Sequence, residues 1–338
     1  MNRVKQETWT ADALLELGRS YQAAAVFAAG AELEVFDALD RKDRTALELA
    51  RVLRCDCRGL SVLLDALTAL ELLDQQGGRY SLEAGVREFL TRDGARSLLA
   101  MSQHQANCLR NWAQLARVVK SGRPARRVAS VRGADGDAAS FIGAMDNISG
   151  PVADRVIRAV RPLRFGRLLD VGGASGTWTM AFLRACPEGR ATLFDLPHVI
   201  PMARRRLAAA RMDRRVRLVA GDYMTDPLPR GADLAWVSAI VHQNSRAENR
   251  TMFAKVFRAL EVGGRIAIRD IVMEPNRTRP IAGALFAINM LVATPGGGTF
   301  TFDEIREDLE SAGFTRARLA VRDPGMNSIV VAEKMDGD

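Results

Sequence analysis

Lysine is nearly missing from this chain of 338 residues: only Lys5, Lys42, Lys120, Lys255 and Lys334 occur, so arginine carries 43 of the 48 positive charges. A bias that broad reads as codon usage in a GC-rich genome rather than as arginine selected for forked phosphate contacts. Histidine is scarcer still, at three, which leaves few groups able to move a proton near neutral pH. Four cysteines, Cys55, Cys57, Cys108 and Cys186, make neither a zinc spacing nor a disulfide framework, so no metal is expected and a reducing interior is. No apolar run is long enough to span a bilayer, the longest being Ile281 to Ala293. The first ten residues, MNRVKQETWT, have no apolar signal core, so a soluble cytoplasmic protein is expected, without a membrane partner.

What is present is an apolar fraction of 48%, too high for disorder, in a chain long enough for two domains. The net charge of +8 is local. Residues 1–150 hold 20 basic and 19 acidic side chains, whereas the run from Arg204 to Arg217 holds seven arginines (Arg204, Arg205, Arg206, Arg211, Arg214, Arg215, Arg217) and one acid, Asp213. That run falls after the second strand of the α/β region, where a helix packing near Ile200 and Leu207 would leave the arginines to solvent. A docking patch for an acidic carrier protein is the alternative.

From Ala11 to about Leu73 apolar residues recur at helical spacing, as in Leu60, Leu63, Leu64, Leu67 and Leu70. Thr45 with Glu48 makes a capping box, Asp56 caps the next helix, and Gly77-Gly78 divides two short β-like runs as a tight hairpin. Helix, helix and hairpin outline a winged helix over residues 1–100. Residues 101–150 read as connecting segments: a helix holding Met101, His104, Cys108, Trp112 and Leu115, an aperiodic linker over 121–136, and helices broken near Gly150-Pro151. From 151 to 338 strands alternate with helices: RLLDV, ATLFDL, VRLVAGD, DLAWVSAI, GRIAIRDIVM, ARLAVR and SIVVAE. Such a pattern predicts an α/β domain, a mostly parallel Rossmann-like sheet of seven strands covered on both faces.

Strand RLLDV runs directly into Gly172-Gly173-Ala174-Ser175-Gly176 and a helix. Glycines at such a turn let a ligand approach the backbone and can present free N–H groups to it. The dinucleotide pattern G-x-G-x-x-G does not fit, whereas acid-x-Gly-x-small-x-Gly fits from Asp170 to Gly176. Asp195 ends the second strand, where it can accept hydrogen bonds from ribose hydroxyls, and Asp222 follows the third beside apolar Met224, where it can accept from an amino group. Three acids at the carboxyl ends of three successive strands converge on one crevice.

Over nearly its whole length, from AAGAELEVFDAL through LLDALTALELL, LLDVGGASG, FDLP and GDYM to SAGF, the chain resembles the class I S-adenosylmethionine-dependent O-methyltransferases of the plant-caffeate and bacterial-polyketide type. The resemblance implies an N-terminal winged-helix domain that makes a homodimer and S-adenosylmethionine as cofactor, leaving as S-adenosylhomocysteine. It places the methionine part of the cofactor on Asp170 and the loop of Gly172, Gly173 and Gly176, the ribose on Asp195 beside Leu196, and the adenine on Asp222, Tyr223 and Met224. Ser238, ending the fourth strand, joins that set. Ala174 stands where the family has glycine.

Transfer to a hydroxyl requires alignment and removal of a proton. His198 reads as a surface or capping residue, and His104 as packing or acceptor lining. His242 follows the fourth strand at the edge shared with the glycine loop, and the resemblance makes it the base, with Asp270 in the place of the orienting acid. Asp270 could instead be an ion-pair partner of Arg269 or a strand-end cap. Two departures stand out: Gln243-Asn244 replaces the family's Asp-Trp, and Thr299 replaces a second acid. The acceptor pocket is assigned to His104, Phe141 and Met145 with Phe286, Asn289 and Met290, a mostly apolar set suited to a small aromatic or polyketide-like molecule, with Asn289 as the neutral polar group to orient it. Methylation of carbon, nitrogen or sulfur, or cofactor-assisted hydroxylation, remains open on the same fold. A winged-helix regulator is disfavoured, and no nucleic-acid partner is expected, because the helix from Arg58 to Leu72 has one base against Asp65 and Glu71.

Overall fold

The computed structural model describes residues 9–160 and 164–335; the first eight residues of the N-terminal segment read above lie outside the described residues. Two compact units emerge, residues 1–110 with 127–147, and residues 111–126 with 148–338. The first opens with helices α1 (Ala11–Arg19), α2 (Tyr21–Glu32) and α3 (Val35–Ala38) and a two-residue strand β1 (Arg44–Thr45). Thr45 and Glu48 cap α4 (Ala46–Leu53) reciprocally, and Asp56 caps α5 (Cys57–Ala69) by accepting from the Gly59 amide. Strands β2 (Leu73–Gln76) and β3 (Arg79–Leu82) form the hairpin about Gly77 and Gly78, at φ of 57° and 74°. The unforeseen β1 pairs with β3, giving a three-stranded wing, and α6 (Ala84–Leu90) follows. Phe36, Leu49, Leu60, Leu64 and Leu67 make the core of this unit, while α1 buries none of its residues.

Next come α7 (Leu99–Trp112), α8 (Leu115–Ser121) and α9 (Gly133–Ser149). Two expected boundaries are corrected here. The helix expected to include Leu115 stops at Trp112, and Leu115 starts α8; the intervening Gln114 pairs its side-chain amide with the backbone of Arg126 in both directions. The linker expected over 121–136 is shorter at both ends. Ser121 is still helical, with Gly122 as a left-handed cap, and Gly133–Gly136 is already α9 despite its glycines, because the Arg132 side chain donates to the Gly136 carbonyl and to Ser140.

The α/β unit contains α10 (Ala153–Ala159), β4 (Arg167–Val171), α11 (Thr177–Ala185), β5 (Arg190–Asp195), α12 (Ile200–Ala209), β6 (Val216–Ala220), β7 (Ala232–Ser238), α13 (Arg246–Ala259) and β8 (Leu260–Asp270). A short strand β9 (Val272–Met273), α14 (Ile281–Ala293), β10 (Phe300–Thr301), α15 (Phe302–Ser311), β11 (Thr315–Val321) and β12 (Ser328–Glu333) complete it. The seven-stranded sheet has the order β11-β12-β8-β7-β4-β5-β6, with β8 through β6 parallel and β12 antiparallel to β8. Alternate side chains supply two cores. Leu169, Val171, Val237 and Ile268 pack with Phe253 of α13 on one face; Leu168 and Trp236 pack with Trp178 and Phe182 of α11 on the other. Strand order reverses between β4 and β7, which opens a crevice at their carboxyl ends. The parallel pair β9–β10 was not foreseen, its strands being two residues each.

Helix α12 buries Ile200, Ala203 and Leu207 and leaves Arg204, Arg205, Arg211 and Arg214 exposed on it and the following turn, while Arg217, also exposed, already lies in β6. Arg215 departs from that expectation. Its guanidinium donates to the carbonyls of Leu183, Cys186 and Gly189, closing the carboxyl end of α11 with a cation where the helix dipole favours one. The apolar run Ile281–Ala293 is α14, and among the described residues no helix is long and apolar enough to cross a membrane.

Candidate active site

The glycine loop joins β4 to α11. Gly172 and Gly176 hold φ of 66° and 81°, which glycine adopts without strain. Gly173 is required for space: a Cβ there would sit 2.5 Å from Leu193 Cγ and 3.0 Å from Asp170 Cγ. Four amides of the loop are engaged within the fold. Gly172 and Gly173 donate to the Phe194 carbonyl, Gly176 donates to Gly173, and Ala174 donates to Asp195 Oδ2 at 2.7 Å.

Asp170 lies behind this loop, 1% exposed, accepting the Thr179 hydroxyl at 2.5 Å. Burial pushes its carboxyl up to about 7, and the charge of Asp195 adds to that. Asp195 ends β5 with Oδ2 held by Ala174 and Oδ1 by the Leu196 amide, and burial raises its pKa against those two donors. Each oxygen accepts one N–H, so each retains a lone-pair direction for a further donor. After β6, Asp222 Oδ1 accepts the Met224 amide, and the Asp222 amide donates to Asp226 Oδ2. Since β4, β5 and β6 are adjacent and parallel, the three acids share one edge of the sheet.

Across the reversal of strand order, His242 occupies a short 3-10 turn after β7 and Asp270 ends β8. Both are buried, at 6% and 2% exposure, and His242 Nδ1 lies 2.9 and 3.0 Å from the two Asp270 oxygens. Carboxylate oxygens accept, so Nδ1 is the donor toward Asp270 and Nε2 is the ring nitrogen turned away from it. Asp270 also accepts the amides of His242 (3.3 Å) and Ile271 (2.8 Å). It has no ion pair with Arg269, whose guanidinium donates to Asn327 and Ser238 and stacks 4.4 Å above Trp178 on the opposite face. The Gly298 amide donates to the His242 carbonyl, and Phe286 of α14 meets the imidazole edge-on at 4.8 Å.

Two replaced residues have defined contacts. Gln243 turns back to donate to Ala239, while Asn244 is buried, accepts the Tyr223 hydroxyl at 3.3 Å and donates to Asn249, which itself donates to the Val241 carbonyl. A chain of amides thus joins the loop after β6 to the His242 turn. Sequence reasoning missed Asn249 and Thr179 because their signal is contact across the fold, not spacing. Thr299 is buried and donates to the Gly283 carbonyl.

The acceptor-pocket residues divide by unit. Phe286, Asn289 and Met290 belong with His242; Met290 is buried, and Asn289 Oδ1 accepts the Trp112 indole N–H at 2.9 Å, which fixes the amide and leaves its N–H groups and one lone-pair direction for another molecule. His104, Phe141 and Met145 belong to the first unit, where His104 and Phe141 rings meet at 5.2 Å and His104 Nε2 lies 3.6 Å from Cys108 Sγ. Burial lowers the His104 pKa and raises that of Cys108, favouring both neutral forms.

A seven-stranded sheet of this order, with acids along the ends of adjacent strands, defines the class I methyltransferase architecture. A family model described as an O-methyltransferase domain matches residues 112–315, and an O-methyltransferase dimerisation domain matches residues 15–92. The 3-hydroxy-5-methyl-1-naphthoate 3-O-methyltransferase of Streptomyces sahachiroi is 31% identical over 90% of both chains. Tetracenomycin polyketide synthesis 8-O-methyl transferase TcmO of Streptomyces glaucescens is 30% identical over 90% of this chain and 91% of its own. The solved structure of PigF with SAH superposes with a TM-score of 0.85 at 26% identity, covering 96% of this chain and 100% of that one. The chain belongs to the O-methyltransferase family, whose enzymes take their methyl group from S-adenosylmethionine. The residues present fit that cofactor: Asp195 has acceptor capacity for two hydroxyls, Asp222 lies beside apolar Met224, and the glycines leave the loop surface bare.

Proposed function

We propose that the protein methylates a hydroxyl of a small aromatic or polyketide-like molecule, with His242 as general base and Asp270 as the acid that orients it. The observation that carries this reading is the buried imidazole whose Nδ1 faces both Asp270 oxygens at 2.9 and 3.0 Å. When bound, S-adenosylmethionine supplies an electrophilic methyl group on its sulfonium. His242 Nε2 accepts the acceptor's hydroxyl proton as the oxygen becomes nucleophilic, and Asp270 stabilises the resulting imidazolium without taking the proton. Phe286 holds the ring edge-on, and the Asn289 amide is placed to orient the acceptor beside apolar α14. The Gly172, Gly173 and Gly176 loop, with Asp170 behind it, receives the methionine end of the cofactor. Asp195 with Leu196 receives the ribose, Asp222, Tyr223 and Met224 the adenine, and Ser238 completes the set. We assign residues 1–100 to a homodimerising winged-helix domain, 101–150 to connecting segments and 151–338 to the cofactor-binding domain, in a cytoplasmic enzyme.

The test is incubation with methyl-labelled S-adenosylmethionine and a panel of naphthols, phenols, catechols, arylamines, thiols and indoles, with products identified by mass. Methylation on oxygen of an aromatic hydroxyl supports the reading. Transfer confined to nitrogen, sulfur or carbon overturns the choice of atom, and calorimetry showing no binding of S-adenosylhomocysteine overturns the cofactor site.

A further inference from the structure

Lys255 on α13 is one of five lysines in a chain whose other 43 cations are arginine. Its ammonium donates to three backbone carbonyls, of Tyr223 at 2.9 Å, Met224 at 2.6 Å and Asp226 at 3.0 Å. An ammonium has three N–H bonds, so its donor capacity is filled by one short loop. Three convergent carbonyls suit a compact tetrahedral donor on a flexible stem, whereas the planar fork of an arginine directs its N–H groups into one plane. Lys334 makes a related clasp on the carbonyls of Phe257 and Leu260, but there it closes the end of α13. The carbonyls on Lys255 belong to the loop that carries Asp222 and Met224.

We infer that Lys255 is a positioning residue for the adenine end of the cofactor site. By gathering three carbonyls at one point it sets the curvature of residues 222–226, and so the placement of Asp222 and Met224 toward a nucleobase. Helix α13 also holds the other side of the crevice, through Asn249 on the Val241 carbonyl beside His242. This inference rests on the assignment of Asp222, Tyr223 and Met224 to the adenine.

The test compares Lys255→Met and Lys255→Arg with wild type in three measurements: the Kd of S-adenosylhomocysteine by calorimetry, amide hydrogen exchange across the molecule, and the split between KM for S-adenosylmethionine and kcat. In Lys255→Met, loss of hydrogen bonds made by a charged donor should raise Kd and KM about tenfold. The saturated kcat should stay unchanged, and exchange should accelerate at 222–226 but not at 172–176. Lys255→Arg keeps the charge and should show the same local exchange with a smaller rise in Kd; it carries the test if the methionine variant does not fold. Wild-type Kd and wild-type exchange in both variants overturn the inference. A third variant, Asp222→Ala, separates the two readings. If it weakens binding while the Lys255 variants do not, only the role of Lys255 fails; if it leaves Kd unchanged, the adenine assignment falls and this inference with it.

Discussion

The two sides of the crevice each bury an aspartate near the end of a strand, and they solvate it differently. Asp170, on β4, is 1% exposed and accepts, among the described residues, from Thr179 alone, through its hydroxyl and its backbone N–H. Asp270, on β8, is 2% exposed and accepts three N–H groups: the His242 amide, His242 Nδ1–H and the Ile271 amide. Burial pushes Asp170 up to about 7, outweighing what Thr179 donates, and the charge of Asp195 adds to the rise. Asp270 instead has donors on three sides, and one of them is the imidazole of His242. The difference teaches that burial and position do not define the chemistry of an acid at a strand end; the donors aimed at it do. On this comparison Asp270 turns its oxygens to an imidazole, and Asp170 packs beneath a loop.

The largest expected effect lies on the Asp270 side. His242→Ala should lower kcat by about 10²–10⁴-fold, the usual contribution of a positioned base. Its Kd for S-adenosylhomocysteine should stay within about twofold, because the glycine loop belongs to other strands. Asp270→Asn should produce a fall of the same order, since a side-chain N–H facing Nδ1 forces the opposite tautomer. Near-full turnover in either variant, measured on whichever acceptor the panel identifies, would make His242 and Asp270 a packing pair and erase the contrast.

The next effect belongs to Asp170. Its pKa in the folded ligand-free protein is about 7 against an ordinary 3.8. A group raised on folding contributes stability that is fully present below the unfolded value and is lost as pH rises through the folded one. At about 1.4 kcal/mol per pH unit between the two states, the loss between pH 4 and 7 is at most roughly 4 kcal/mol. Asp170→Asn removes that titration while leaving an acceptor for the Thr179 hydroxyl. Urea denaturation should therefore show a stability difference that grows in the variant's favour from pH 4 to pH 8. A difference constant with pH would mean that Asp170 is charged and well solvated in the folded protein.

Asp195 comes third. It shares the edge with Asp170 but has two backbone donors and open lone pairs. Asp195→Ala should weaken S-adenosylhomocysteine binding by about 1–3 kcal/mol, the cost of removing a charged hydrogen-bond partner. The saturated kcat should change little, and unchanged affinity would remove the ribose from Asp195.

These contrasts were legible in the sequence only in part. The β/α alternation, the capping box of Thr45 and Glu48, the Gly77-Gly78 hairpin and the acids at strand ends all follow from local pattern, and the fold reproduces them. Strands of two residues such as β9 and β10 carry no periodicity to read. The inward turn of Arg215, the Asn244–Asn249 amide pair and the clasp of Lys255 depend on partners 5 to 32 residues away, so composition around them says nothing. The donor count that separates Asp170 from Asp270 is likewise a property of packed strands.

The smallest expected effect concerns two alanines that flank the reversal of strand order. Ala174, after β4, has φ of 47°, and Ala239, after β7, has φ of 57°, both in the left-handed region that disfavours a Cβ. Each is held there by its own amide, Ala174 on Asp195 and Ala239 on the Arg269 carbonyl. Ala174→Gly should raise stability by about 1 kcal/mol, relief of the left-handed conformation outweighing the added freedom of the unfolded glycine. Ala239→Gly should gain by a similar amount, because the strain is of backbone origin and independent of which acid lies nearby. If thermal unfolding shows a gain only at Ala174, the β7 side is already relaxed by its neighbours, and the two halves of the crevice differ in backbone strain as well as in donors.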